Sequence, residues 1–205
     1  MRSSSASRSA SEAALGARAR LTRRRFLLAT GAALVWPGVA AGQEGVFLSP
    51  EDAPRTLFPE ADRVVERRVA MTPDLRRRIE TALGTGATTL WEREYRVFTV
   101  SRDGVVVGTV VIVEEIGKHR PITFAVAADR GGRIHDIAVL VYREPYGGDV
   151  RHPRFLRQYR GKALADPMLP YRDITNIAGA TLSVEATGRA ARKALAVLRA
   201  LEDER

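Results

Sequence analysis

Cysteine is absent from this chain of 205 residues. That excludes disulfides, thiolate metal ligands and thiol nucleophiles, so the protein is held together by its core alone. Histidine is scarce. His119, His135 and His152 are scattered without metal-ligand spacing, so no metal centre is expected. A nicotinamide-binding fingerprint is missing too, because Gly131-Gly132 lacks the strand, glycine-rich loop and helix that such a fingerprint needs. There is no internal repeat, no coiled coil and no low-complexity domain. The apolar run from Phe26 to Val35 is far shorter than the roughly 20 residues of a membrane-spanning helix.

That run belongs to an export leader. Thr22-Arg23-Arg24-Arg25-Phe26-Leu27-Leu28 matches the twin-arginine pattern, and the small residues Val39 and Ala41 place signal-peptidase cleavage after Ala41. The leader carries most of the charge. The whole chain has 33 Lys+Arg and 24 Asp+Glu, a net of +9. Residues 1–41 hold seven arginines and one glutamate, which leaves 26 basic and 23 acidic residues, +3, in the mature chain. A nucleic-acid partner therefore loses the support of the high isoelectric point. The mature chain has the length of one domain and can bury a core of its own.

Gly42 to Arg55 reads as a flexible lead-in broken by Pro50, Asp52 and Pro54, and Phe58 to Arg68 as a short helix. Thr72 to Leu83 is a clearer helix. Thr72 can cap it, Pro73 and Asp74 suit its first turn, Gly84 ends it, and Leu75, Ile79 and Leu83 form one apolar face. Tyr95–Arg102, Val105–Ile116, Ile122–Ala128 and Ile134–Tyr142 read as strands, joined by the hairpin signal Asp103-Gly104 and the turn Gly131-Gly132. Short turns between sequential strands imply an antiparallel meander. Residues 143–173 are irregular, with Phe155-Leu156 on a short helix. A helix from Val184 to Leu201 closes the chain. Its apolar stripe is Val184, Ala191, Ala194, Leu195, Leu198 and Leu201, with Arg189, Arg192, Lys193 and Arg199 on or near the other side. The fold class is α+β, an antiparallel β-meander flanked by helices.

Thr175-Asn176-Ile177-Ala178-Gly179-Ala180-Thr181-Leu182-Ser183 stands at the mouth of that last helix. Unpaired backbone N–H groups and the positive end of the helix dipole suit a phosphate there. Gly179 and Ala180 clear the approach to the Thr181 hydroxyl. A plainer role for Thr181 or Ser183 is to cap the helix. The stretch resembles the Ser-Gly-Ala-Thr-x-Ser/Thr signature of the FMN-binding domain family, which includes peripheral flavoprotein subunits of sodium-pumping quinone reductases and of Rnf-type complexes. Gly179, Ala180, Thr181 and Ser183 fit. Ala178 stands where the family usually has serine, and the family's upstream acid would fall on Thr175, with Asp173 the nearest acid. The resemblance implies FMN joined to Thr181 by a phosphoester bond that a dedicated flavin transferase installs, with Leu182 and Ser183 flanking the phosphate. With the leader, the chain divides into a twin-arginine signal peptide (1–41), an N-terminal extension (42–67) and an FMN-binding domain (68–205), with the attachment loop leading into the last helix.

Two loops on the sheet are the expected contacts of the flavin ring: 115–121 and 142–148. Lys118 or Arg143 could stabilise a reduced, anionic flavin, and Tyr142 or Tyr146 could contact the ring. The same residues could equally be solvated turn positions and sheet-edge aromatics. Arg151, Arg154, Arg157 and Arg160, spaced by three, could make a basic helical face: a solvated surface, or a dock for an acidic redox partner or lipid headgroups. The expected function is that of an exported periplasmic electron carrier, more a redox subunit than a stand-alone enzyme, peripheral to the membrane and relaying electrons between a membrane redox system and another carrier. The alternative is an accessory or binding module of the same fold that has lost covalent flavin. A flavin reductase for a small acceptor would be expected to carry the missing nicotinamide fingerprint.

The leader reading has a direct consequence. Arg23→Lys combined with Arg24→Lys should block export and leave the mature fold intact, because the twin-arginine route reads those side chains in the precursor. Fractionation should find uncleaved precursor in the cytoplasm. Normal export of the double variant would contradict the reading.

Overall fold

The computed structural model describes residues 45–84 and 88–203. The twin-arginine leader and its cleavage site lie outside the described residues. Six strands form one curled antiparallel sheet: β1 (Gly45–Val46), β2 (Arg63–Ala70), β3 (Glu94–Arg102), β4 (Val105–Ile116), β5 (Pro121–Asp129) and β6 (Ile134–Tyr142). Their order across the sheet is β1-β6-β5-β4-β3-β2. The helices are α1 (Ala53–Leu57), α2 (Pro73–Leu83), α3 (Pro153–Leu156) and α4 (Thr181–Glu202). The class is α+β, as the sequence pattern predicts, and the meander β3-β4-β5-β6 falls on the four expected strands.

The strand alternation sends side chains to two separate cores. Tyr95 and Val97 of β3, Val111 and Val113 of β4, and Ile122, Phe124 and Val126 of β5 meet α2 and α4 on one face. Phe98 and Val100, Val110, Ala125, Ala127 and Leu140 meet Ala53, Leu57 and Phe58 of the α1 segment on the other. Bulges between Thr123 and Phe124 and between Ala127 and Ala128 shift the β5–β6 register.

The N-terminal segment is more ordered than its prolines suggest, and here the sequence expectation is corrected. Pro54 stands in the first turn of α1, where its missing N–H and fixed φ cost nothing. The expected helix over Phe58–Arg68 is instead a loop followed by β2, which pairs along its whole length with β3 from Arg63↔Ser101 to Ala70↔Glu94. Tertiary pairing decides this. As an edge strand β2 is mostly exposed, so the two-residue alternation that marks a half-buried strand is blurred. Its arginines and glutamate also blunt the open edge.

Helix α2 has the expected ends: Oγ1 of Thr72 accepts from the Leu75 N–H at 3.1 Å, and Gly84 closes it. Helix α4 lies on β4 and β5 and carries α2 on its other side. Small residues permit that double packing, and Ala186, Ala190, Ala191, Ala194 and Ala196 are fully buried. Lys193 was expected near the solvent side. It is instead fully buried, between Trp91 and Glu92 ahead of β3 and Glu114 and Glu115 of β4. Its Nζ is 2.9 Å from Glu92 and 2.9 Å from Glu115, donates to the Glu114 carbonyl at 2.6 Å, and sits over the Trp91 ring.

Gly188 shows how closely α4 is approached. A Cβ there would stand 2.0 Å from the Met168 carbonyl oxygen. In an open helix Gly→Ala would add about 1 kcal/mol of stability. At this contact Gly188→Ala should instead remove roughly 1–3 kcal/mol, a fall in Tm of about 2–4 °C per kcal/mol for a domain of this size. Thermal denaturation checks the sign, and a rise in Tm would contradict the packing described.

Candidate functional site

Three chain segments converge on the first turn of α4. The β4–β5 turn brings Lys118 and His119. The loop leaving β6 brings Glu144, Pro145 and Tyr146. The third segment is Gly179 to Ser183 itself. Together they line a cleft of about 360 Å³, within the roughly 300–1,000 Å³ of small-molecule sites.

Helix α4 begins at Thr181, three residues before the expected start at Val184. Ala180 occupies the N-cap position and no side chain caps the helix, so neither Thr181 nor Ser183 serves as the cap. Gly179 turns the chain into the helix with φ +78°, a conformation that favours glycine. The first-turn N–H groups have no intrahelical acceptor by construction, and the residues that bear them line the cleft.

The two hydroxyls of the motif differ. Oγ of Ser183 is buried and lies 2.9 Å from the Tyr142 hydroxyl, which in turn donates to the Tyr146 carbonyl. Burial pushes the Tyr142 phenol up, against the opposing Ser183 hydrogen bond. This pair fixes the loop after β6 against the helix. The Thr181 hydroxyl is only partly buried, and its oxygen accepts from Nδ2 of Asn176 at 2.8 Å.

Glu144 shapes the opposite wall. Its Oε1 accepts from the N–H groups of His119 and Arg120, so its carboxylate fastens the β4–β5 turn to the exit of β6. Burial pushes this carboxyl up, but the N–H groups of Arg120, His119 and Lys118 outweigh the push and hold it below its ordinary value of 4.5. Arg189, two turns into α4, donates to the Ile116 carbonyl at 2.7 Å and pairs with the buried Glu115. The turn that carries Lys118 is therefore tied to both the sheet and the helix.

Of the residues singled out from sequence, Gly179, Ala180, Thr181, Leu182, Ser183 and Lys118 line the cleft, as does Tyr146. Tyr142 supports it from beneath with a fully buried ring. Arg143 is not among the lining residues. Its guanidinium donates to the Pro121 carbonyl and to Oγ1 of Thr123, on the sheet side of the loop. His119, Glu144 and Asn176 were missed as site residues. Nothing in the local sequence pairs Glu144 with a turn some 25 residues earlier, and Asn176 reads only as a loop residue.

A second cleft, of about 510 Å³, lies across the 175–177 loop, with Asn176, Arg154, His152 and Phe155 among its walls. The four arginines spaced by three do not share a helix. They fall on a 3₁₀ turn at Gly148–Arg151, on α3, on another 3₁₀ turn at Arg157–Tyr159, and just beyond it. Arg151 covers the Phe47 ring at 4.0 Å and Arg160 pairs with Asp136. Among the described residues no cluster of His, Asp or Glu could hold a metal ion, and no helix is long and apolar enough to cross a membrane.

The residues fit a flavin nucleotide. An open hydroxyl and an uncapped helix N-terminus suit its phosphate, and the exposed faces of Tyr146 and Leu182 suit a flat apolar ring. The family model of the FMN-binding domain matches residues 117–196, a span that contains all three cleft-lining segments. The match supports an FMN-binding domain over those residues. No curated protein matches the chain.

Glu144 gives the site a pH signature. Because its folded value is depressed, the stability it supplies is complete above its ordinary value of 4.5 and is lost as the pH falls through the lower folded value. Glu144→Gln keeps an acceptor oxygen without the charge. It should cost roughly 1–2 kcal/mol at pH 6, the difference between charged and neutral hydrogen bonding. Urea unfolding of both proteins from pH 6 to pH 3 should show that gap closing on the acid side. A gap independent of pH would contradict the role assigned to the carboxylate.

Proposed function

We propose that this protein is an exported electron-transfer flavoprotein that carries one FMN on Thr181 through a phosphoester bond. The observation that carries the reading is the position of the Thr181 oxygen. It stands at the first residue of a 22-residue helix, on a cleft, in a turn with no side-chain cap. Ser183, the other motif hydroxyl, is buried and engaged with Tyr142. The partial positive charge of the helix N-terminus would hold the phosphate. Tyr146 and Leu182, 71% and 44% exposed, would flank the ring, and Lys118 would place a positive charge beside it.

A flavin accepts two electrons and can release them singly, which suits a relay between a membrane redox system and another carrier. The chain's part is to fix that group at the mouth of a rigid helix and leave one side open to a partner. Covalent attachment matters for an exported carrier, because a free nucleotide lost outside the cytoplasm is not replaced. The leader over residues 1–41 supports a periplasmic location. The partners this implies are a flavin transferase and a redox protein at the membrane surface.

Intact mass spectrometry of the mature protein, co-produced with a flavin transferase, tests the proposal. Wild type should gain the mass of one FMN ester and keep its flavin fluorescence after denaturation. Thr181→Ala should lose the adduct, and Ser183→Ala should keep much of it. Because Thr181 caps nothing, Thr181→Ala should cost less than the roughly 0.5–2 kcal/mol of a lost cap. Unmodified, colourless wild-type protein made beside an active transferase would favour the accessory-module reading.

A further inference from the structure

Asn176 stands five residues before Thr181, and its carboxamide touches two hydroxyls. Nδ2 donates to Oγ1 of Thr181 at 2.8 Å and to the Tyr171 hydroxyl at 2.6 Å. Its Oδ1 is buried and, among the described residues, has no hydrogen-bond partner. A buried acceptor left in that state costs about 1–3 kcal/mol, and such a group calls for a reason. Half a turn of the carboxamide exchanges its two ends, and both neighbours are hydroxyls that can donate or accept. Asn176 can therefore face Thr181 as a donor or as an acceptor. Three polar side chains of the neighbouring segments are engaged with other groups. Asp173 accepts from Lys162, Met168 and Leu169. Gln158 accepts from the Thr175 N–H, and Nδ1 of His152 accepts from the Arg154 N–H.

We infer that Asn176 is a positioning residue for modification of Thr181: it orients the hydroxyl for esterification and afterwards holds the ester oxygen. This rests on the proposal that flavin is attached at Thr181. Forming a phosphoester from a free monophosphate would expel water and run uphill in water, so the donor must carry its phosphate in an anhydride, as a flavin dinucleotide does. The Thr181 Oγ1–P bond forms and the P–O bond of the anhydride breaks. The nucleoside monophosphate leaves with the bridging oxygen, and the hydroxyl proton goes to solvent through the transferase. No electrons are exchanged. With Oδ1 toward Thr181, Asn176 accepts the hydroxyl hydrogen and leaves a lone pair of Oγ1 facing the cleft. Once the ester exists, its oxygen has no proton, and only the Nδ2 end can serve it.

The test follows FAD-dependent loading of the full mature chain by a flavin transferase, read as intact mass against time over a range of protein concentrations, with Tm measured for each protein. Asn176→Ala should lower kcat for loading roughly tenfold or more, since misplacing a reacting atom by about 1 Å can cost about 10²-fold. The KM for the chain should stay near that of wild type, because docking to the transferase is untouched. Asn176→Asp keeps an acceptor and should load far faster than Asn176→Ala. The inference is overturned if Asn176→Ala loads at the wild-type kcat, or if Asn176→Asp is as slow as Asn176→Ala. Wild type that never gains flavin would instead defeat attachment at Thr181 itself, and this inference with it.

Discussion

The buried ammonium of Lys193 fixes where helix α4 sits. A charge with no exposure to water needs its partners in place, and those partners come from two other parts of the chain: Glu92 before β3, and Glu115 with the Glu114 carbonyl on β4. Sliding α4 by one turn would take the Lys193 ammonium away from both carboxylates, and breaking such a buried pair costs on the order of 3–5 kcal/mol. Burial pushes the Glu115 carboxyl up and outweighs the opposing pull of Lys193 and Arg189. The surrounding alanines add close packing, and Gly188, facing the Met168 carbonyl, fits the same register. Lys193 adds the charge pairing that holds the register.

Everything at the cleft follows from that register. With α4 fixed on β4 and β5, its first residue falls beside the β4–β5 turn and the exit of β6. Arg189 ties the helix to Ile116, Glu144 ties the turn to the β6 exit, and Tyr142 ties that exit back to Ser183. These contacts form a closed ring around the open Thr181 oxygen. A site built this way is rigid at its rim and needs no metal or disulfide to hold its shape, in keeping with a chain that lacks cysteine.

Much of this was legible in the sequence because the signals were local. Thr72, Pro73 and Gly84 mark the ends of α2, Asp103-Gly104 marks a hairpin, and the β-branched runs mark β3 to β6. What escaped depends on distant partners. Strand β2 forms because β3 offers an unpaired edge, which its own residues do not announce. Lys193 looks like a surface residue until Glu92 and Glu115 are brought to it. Within the candidate site, Thr181 and its small neighbours were legible because Gly-Ala-Thr ahead of a helix is a compact pattern. The role of Glu144 was not, since it arises from a loop closing on a turn far away in sequence. That of Asn176 was not either, because its partners Tyr171 and Thr181 are only five residues away but meet it through an irregular loop with no periodic signal. The charge of Arg143 suggests a contact to the ring, but its guanidinium turns toward Thr123 and Pro121.

Among the Ser and Thr hydroxyls of the 175–187 stretch, that of Thr181 belongs to a cleft-lining residue that is not buried. Ser183 is engaged with Tyr142, Thr187 donates to the Ser183 carbonyl, and Thr175 lines the second cleft across the loop. Tryptic cleavage would place all four on one peptide, Asp173 to Arg189. Fragmentation of that peptide from flavin-loaded protein tests the account most directly. The predicted result is an FMN adduct confined to Thr181. An adduct on Thr175 or Ser183, or flavin lost on denaturation with the peptide unmodified, would contradict it.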